Sequence, residues 1–448
     1  MKKILTVLFA LLLCFEHAQA MDVQEAVAPE TGIKFWLVED HKNPIISVNL
    51  SFKGGSEQDP TAKQGLASIT ASALTEGAGQ YSASQFNQIL SDNSIYLSFA
   101  ASRDETFGEA KFLSEDKNKA FEMIELALTQ PRFDTAEIER LKARQIASIR
   151  QQISDPEWQA LYALLTKIFP AHPYGQRRQG SEQTVKSISL QDIKNFAASH
   201  YAKDNLTISI VGDISEDDAE QLVDRAFLKL PDGAKLIKIP NAGEEYSENN
   251  NKPIIVHRDG NQTYIAFHFP APKRNDSDYH SAEIINYVLG GGGFSSRLMQ
   301  EMRNKRGMTY GVHTSLSPSE HASGIYGSTS VHNSQANEAL RVIRRSLREL
   351  CDKGISSQEI SSAKDFLTGS VSLKLTSTDK IADMLTYMQT RNLGEDFIDR
   401  YPHMIRSTSD YDLKQAIDRW FCPDKMTVTM VGSPYNVTDA QVKEAVRQ

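Results

Sequence analysis

The chain has 448 residues, 40% of them hydrophobic, which is enough apolar material for a large buried core. Its net charge of −8 gives no electrostatic case for binding nucleic acid or an anionic membrane surface. At roughly 100–200 residues per domain, two to three domains are expected.

The first twenty residues read as a secretory signal. Lys2 and Lys3 form a basic start, residues 4–15 are an apolar run too short to span a bilayer, and Ala18-Gln19-Ala20 is a small-residue cleavage site. Leu13 stands where lipid attachment at Cys14 would need a small residue. No later run approaches about 18 apolar residues, so an exported protein with no membrane anchor is expected.

Residues 33–38 and 45–52 read as strands, and Gly65-Leu66-Ala67 opens a helix that runs towards Gly77. Ile138, Leu141, Ile146, Ile149 and Ile153 share one face of a further helix. A helix containing Asp192-Ile193-Lys194 leads to the strand Leu206-Thr207-Ile208-Ser209-Ile210-Val211-Gly212. Its alternation of apolar and polar residues implies one buried face.

The second part of the chain repeats this order. Residues 254–258 and 264–269 match the early strands, and Leu340, Ile343, Leu347 and Leu350 line a helix face. Asp412-Leu413-Lys414 and Asp424-Lys425-Met426-Thr427-Val428-Thr429-Met430-Val431-Gly432 match the 192–212 region without a gap, at an offset of 220 residues. A duplicated domain accounts for the match. An α+β fold is therefore expected, with two homologous domains of antiparallel strands backed by helices. Residues 21–235 and 252–448 would form the domains and the polar stretch 236–251 the linker. Such a linker would let the halves face each other like a clam around a cavity.

The histidines exclude a helical zinc motif. Two ligands four residues apart would lie on one helical face. No two of the eleven histidines are that close; the nearest pair is His313 and His321. His280 and Glu283 come nearest to a motif, but Ile284 stands where a second histidine would be. No nucleophile elbow is present. Cys351 and Cys422 are either bridged in an oxidising compartment or two buried thiols.

Residues 289–312 hold the most specific pattern. Leu289-Gly290-Gly291-Gly292-Gly293-Phe294-Ser295-Ser296-Arg297-Leu298 is followed by Arg303, Gly307 and Tyr310 in R-x-x-x-G-x-x-Y spacing. The glycine run reads either as a sharp helix-to-helix turn or as a flap touching substrate. Together with Gly65-Leu66-Ala67 and His172-Pro173-Tyr174-Gly175, this pattern closely resembles the insulinase (pitrilysin) family of zinc peptidases over nearly the whole chain.

The resemblance implies a division of labour. The family's zinc histidines fall on Ser68 and Ser72, its general base on Ala71 and its third ligand near Ser148. This chain would therefore hold no metal. The family's substrate-binding Arg/Tyr pair falls on Arg303 and Tyr310, with Gly291, Gly292 and Gly293 as the glycine loop beside them. The chain resembles the non-catalytic subunit of a two-chain peptidase. Its expected partner carries His-x-x-Glu-His and zinc, and the substrate is an unfolded peptide. The expected location is the periplasm of a Gram-negative bacterium. The alternative is a binding scaffold of the same fold with no role in cleavage.

Overall fold

The computed structural model describes residues 21–242, 252–437 and 441–443. The expected signal sequence over 1–20 and residues 243–251 of the expected linker lie outside them.

The first half builds a six-stranded sheet from β1 (Gln24–Val27), β2 (Lys34–Glu39), β3 (Ile45–Lys53), β4 (Tyr96–Ala101), β5 (Glu105–Leu113) and β6 (Leu206–Gly212). Three of its helices matter below: α1 (Leu66–Ala73), α2 (Thr135–Ser154) and α3 (Pro156–Ile168). The second half has β7 (Ile254–His257), β8 (Gln262–Pro270), β9 (Val312–Pro318), β10 (Ser323–His332), β11 (Thr427–Gly432) and β12 (Gln441–Lys443). Its helices include α4 (Tyr279–Asn286), α5 (Ala336–Lys353), α6 (Thr378–Thr390) and α7 (Asp410–Trp420).

The strand orders are β4-β5-β3-β6-β2-β1 and β9-β10-β8-β11-β7-β12. The first five positions match one for one, so the internal repeat is a repeat of topology; the edge strands differ, since β1 precedes β2 and is antiparallel to it, whereas β12 follows β11 and is parallel to β7. Each sheet is mixed rather than purely antiparallel: β2 runs parallel to β6, and β7 parallel to β11. The antiparallel expectation is corrected here, because helices lie between these strands in the chain and return it to the same end of the sheet. Gly212 and Gly432 end equivalent strands at φ 137° and 151°. A Cβ on Gly212 would lie 2.0 Å from the Ile45 carbonyl oxygen, and one on Gly432 2.7 Å from that of Gln262. Glycine recurs at the repeat offset because no side chain fits either place.

The apolar face of β3, with Ile46, Val48, Leu50 and Phe52, packs into the first core with Leu66, Phe121 and Ile193. In α2, Ile138, Leu141 and Ile149 are buried, and Ile146 and Ile153 pack at the edge of that core. In α5, Leu340, Ile343, Leu347 and Leu350 are all buried in the second core.

The expectation of one buried face per strand fails. Ser47, Asn49, Ser51 and Ser209, on the polar face of the first sheet, are also buried. What covers them is α6 from the second half. Ser47 Oγ lies 2.8 Å from Thr378 Oγ1, and Asn49 Nδ2 donates to Asp383 Oδ1 at 2.5 Å. Ser209 Oγ accepts from Thr386 Oγ1 at 2.9 Å and from Gln389 Nε2 at 2.8 Å. In return, α3 of the first half lies on the second sheet, where Thr429 Oγ1 donates to the Ala160 carbonyl at 2.7 Å. Ser209 and Thr429 are repeat equivalents, so the halves exchange helices reciprocally. Side-chain hydrogen bonds between the halves thus pair buried polar groups on both sheets.

The two halves therefore close tightly. Between them lies a cavity of about 240 Å³ lined by Ser51, Lys53, Glu105, Glu320 and Arg391, among others. Residues expected to start a loose linker are pinned at this seam. Ile237 N donates to Gln58 Oε1 at 2.8 Å, and Ala242 N to the His321 carbonyl at 2.8 Å. No helix among the described residues is long and apolar enough to cross a membrane.

Candidate functional site

Helix α1 stands at the expected metal position. Asp59 caps it, accepting from Gly65 N at 2.7 Å and Ala67 N at 2.8 Å. The helix packs against α2, where Gln145 Nε2 donates to the Gly65 carbonyl at 3.4 Å and Arg140 pairs with Glu76 at 2.5 Å. Ala71 is fully buried, whereas Ser68, Ser72 and Ser148 are half-buried. Neutral hydroxyls and a methyl group supply neither an imidazole nor a carboxylate, so these positions do not fit zinc. Among the described residues, no group of three His, Cys, Asp or Glu side chains has the arrangement to hold a metal ion.

The second-half pattern is built differently. Helix α4 widens into a π turn over Tyr287–Gly291, a local form common at functional sites, and a short 3-10 turn follows over Gly293–Ser295. The glycines here serve close packing first. A Cβ on Gly290 would lie 2.6 Å from Thr314 Oγ1, one on Gly291 2.8 Å from Asn286 Nδ2, and one on Gly292 2.8 Å from the Tyr287 carbonyl oxygen. Gly293 alone of the four has positive φ, 58°, and open space around it. Hydrogen bonds of 2.8 Å from Ser295 Oγ to Gly292 O and from Gln300 Nε2 to Phe294 O tie the turn down. Of the two readings of the run, the tied turn describes Gly291 and Gly292, while Gly293 and Phe294 form an exposed tip.

The two arginines of the pattern part ways. Arg297 grips Glu359 in a fork, Nε to Oε1 at 2.7 Å and Nη2 to Oε2 at 2.8 Å. That guanidinium holds the Glu359 carboxyl at about 2, below the usual range. Arg297 is thus a structural clamp. Arg303 has no carboxylate partner among the described residues. Its guanidinium lies 4.6 Å from the ring centroid of Phe294, which is 65% exposed at the glycine tip. Tyr310 is 91% exposed. Its backbone is fixed by Thr309, whose Oγ1 accepts from Gly311 N at 3.1 Å. The structure joins Arg303 to the glycine tip through Phe294, with Tyr310 on the turn that enters β9. Phe294 was not singled out from sequence; a large apolar residue in a glycine-rich turn was the available signal.

His280 and Glu283 form a pair rather than a metal site, with Nδ1 2.8 Å from Oε2. Glu283 is half-buried. His172-Pro173-Tyr174-Gly175 lies at the seam. His172 Nε2 is 2.9 Å from the Pro240 carbonyl, and Tyr174 Oη accepts from His321 N at 3.1 Å while donating to Asp104.

Two family profiles cover most of the chain. Residues 34–180 match insulinase (peptidase family M16), and residues 187–367 match the domain described as the peptidase M16 inactive domain. The chain belongs to the insulinase family. A Helicobacter pylori protein called non-peptidase homolog YmxG is 26% identical over 84% of this family member and 85% of its own length. A Bacillus subtilis protein called uncharacterized zinc protease YmxG is 23% identical over 78% and 84%. Among solved structures, a peptidase M16 inactive domain from Pseudomonas fluorescens superposes with a TM-score of 0.85 at 27% identity, covering 95% of this chain and all of that one. A Helicobacter pylori protease structure shares the fold at 17% identity and a TM-score of 0.81, covering 92% of this chain and all of that one.

Proposed function

We propose that this insulinase-family chain is the zinc-free subunit of an exported, periplasmic two-chain peptidase. The observation behind this reading is the contrast within the chain. Its zinc-position helix offers Ser68, Ala71 and Ser72, while its Arg/Tyr pattern presents an unpaired guanidinium at Arg303 and a 91% exposed phenol at Tyr310. The non-peptidase name of the Helicobacter pylori relative agrees with a chain that does not cleave alone.

In this reading the metal and the general base belong to a His-x-x-Glu-His partner. Arg303 donates N–H groups to a peptide carbonyl, and Tyr310 adds a phenolic donor. Both interactions strengthen as negative charge develops on the carbonyl oxygen. Phe294 holds the guanidinium in place while leaving its edge free. Gly293 lets the tip approach the extended backbone of an unfolded peptide.

The test is reconstitution with an exported His-x-x-Glu-His paralogue from the same genome. The mixture should cleave peptides faster than the paralogue alone, and Arg303→Ala should abolish the gain. Equal rates with and without this chain would sink the reading.

A binding scaffold with no part in cleavage is the second reading. The tight seam supports it, since each half lays a helix on the other half's sheet, with Thr386 on Ser209 and Ala160 on Thr429. Stable association with a partner lacking any zinc motif would decide for it.

A further inference from the structure

The second half contains a cavity of about 590 Å³ that has no part in the Arg303 site. Its walls are mostly apolar and aromatic, with Leu316, Met384, Ile398 and Phe397 among them. Arg274 lies in this wall. It is only 9% exposed, yet no carboxylate of the described residues pairs with it. Its guanidinium is stacked instead, 4.2 Å from the ring centroid of Tyr279 and 4.9 Å from that of Phe397. Among the described residues only its Nε has a hydrogen-bond partner, donating to Tyr387 Oη at 3.0 Å.

A buried cation without a counter-charge is costly, and cation–π contacts with one neutral hydrogen bond offset that cost only in part. The terminal nitrogens of Arg274 are not among the buried atoms that lack partners. They reach accessible space where Arg274 lines both this cavity and a second one of about 620 Å³ beside Asn275 and His280, with four N–H donors in the planar fork that matches a carboxylate.

The other charges permit an anion there. Glu283, also in the wall, is already engaged by His280 Nδ1 at 2.8 Å and Tyr401 Oη at 3.4 Å. Asp383 accepts from Asn49. Lys374 and Lys380 stand at the rim and are exposed, adding positive charge at the entrance.

We propose that this cavity binds an acid with an apolar body, its carboxylate on the Arg274 fork and its body against the aromatic and aliphatic walls. The volume falls within the usual range of small-ligand sites, about 300–1,000 Å³. Two sources share this chemistry: the C-terminal residue of a peptide and a free fatty acid. The site does not depend on a zinc-bearing partner, because every residue in it belongs to this chain's second half.

The experiment is calorimetric titration of the full chain, with no partner present. The probes are an N-acetylated tripeptide ending in phenylalanine, the same peptide as its carboxamide, and decanoate. Saturable binding of the tripeptide acid, at least about tenfold tighter than its amide, supports the site as a peptide-terminus pocket. Binding of decanoate alone supports it as a fatty-acid pocket.

Arg274→Lys keeps the charge but loses the fork, and should weaken the bound acid at least about tenfold. Leu373, 67% exposed at the rim, gives a variant with no packing to lose: Leu373→Asp should weaken the acid while leaving the melting temperature unchanged. The proposal is overturned if neither acid binds below about 1 mM, if the tripeptide acid and its amide both bind and do so equally, or if both variants bind as the native chain does.

Discussion

The guanidinium of Arg303 rests 4.6 Å from the ring centroid of Phe294, and this contact couples the R-x-x-x-G-x-x-Y pattern to the glycine tip. At such an exposed place a cation–π contact contributes about 0.5–1 kcal/mol, enough to bias a side-chain position but not to hold the fold. Phe294→Ala should therefore leave the melting temperature nearly unchanged. In the reconstituted two-chain assay it should lower peptide cleavage less than Arg303→Ala, which by analogy with loss of one oxyanion donor should cost about 100-fold. A Phe294→Ala mixture as slow as the Arg303→Ala mixture would show that the ring itself touches substrate. Full activity in both would remove the site.

The reciprocal helix exchange gives a prediction about stability. Ser209 is completely buried and accepts from both Thr386 and Gln389. Ser209→Ala leaves the Thr386 hydroxyl without its acceptor and takes one of two from Gln389 Nε2, which keeps the Ile208 carbonyl at 3.0 Å, at a cost of about 1–3 kcal/mol. Its repeat equivalent Thr429 donates to a backbone carbonyl of α3, so Thr429→Val should cost a similar amount. Chemical denaturation of each variant measures this. A double variant near the sum of the two would mean that the helices dock independently. A shortfall would mean that losing one already loosens the other.

Much of this architecture was legible because it is local. Period-two strands such as 206–212, and helix faces such as Leu340, Ile343, Leu347 and Leu350, announce themselves within a few residues. Arg303, Gly307 and Tyr310 could be read because their spacing is contiguous. The polar strand faces could not be read correctly. Ser209 looks solvent-facing until α6, more than 160 residues later, is seen to cover it. The glycine run was ambiguous for the same reason, since the atom that excludes a side chain at Gly290 belongs to Thr314 on β9. The Arg274 cavity draws on residues from 274 to 401, a spacing that leaves no motif.

The seam between the halves should respond to pH. Glu57 is 4% exposed, and its Oε2 faces His321 Nε2 at 3.2 Å. Burial, followed by the nearby charge of Asp104, pushes its carboxyl up to about 8, and Glu320 adds to the effect. Burial also lowers His321, so the imidazole gives little compensating charge at neutral pH.

A carboxyl raised on folding stabilises the fold fully below its unfolded value near 4.5, and that contribution is lost as pH rises towards 8. The native chain should therefore lose stability relative to Glu57→Gln across that window and change little relative to it above. Asp59, pushed up to about 7 by burial, adds a slope of the same sign to both proteins and cancels in the comparison. Melting temperatures of the pair from pH 5 to pH 9 test this; parallel curves would refute it.

Cys351 and Cys422 provide the last prediction. Their Sγ atoms are 3.5 Å apart, one near the end of α5 and the other just beyond α7. Both are half-buried, and burial together with the neighbouring sulfur raises the Cys351 thiol. A disulfide needs about 2.05 Å between sulfurs, so closing it requires a shift of about 1.5 Å, within reach of side-chain rotation and a small adjustment of the two chain segments.

In an oxidising compartment, exchange with an oxidised dithiol donor would form the bond. Two thiols would lose two protons and two electrons, which the donor takes up as it is reduced. The protein isolated from such a compartment should be about 2 Da lighter than its reduced form and show no free thiol after denaturation. A 71-residue separation makes the constraint on the unfolded chain worth about 4 kcal/mol, so reduction should lower the melting temperature of the native protein but not that of Cys351→Ser. Two titratable thiols in protein isolated from such a compartment would identify these cysteines as a buried pair that packs α5 against the chain after α7 and nothing more.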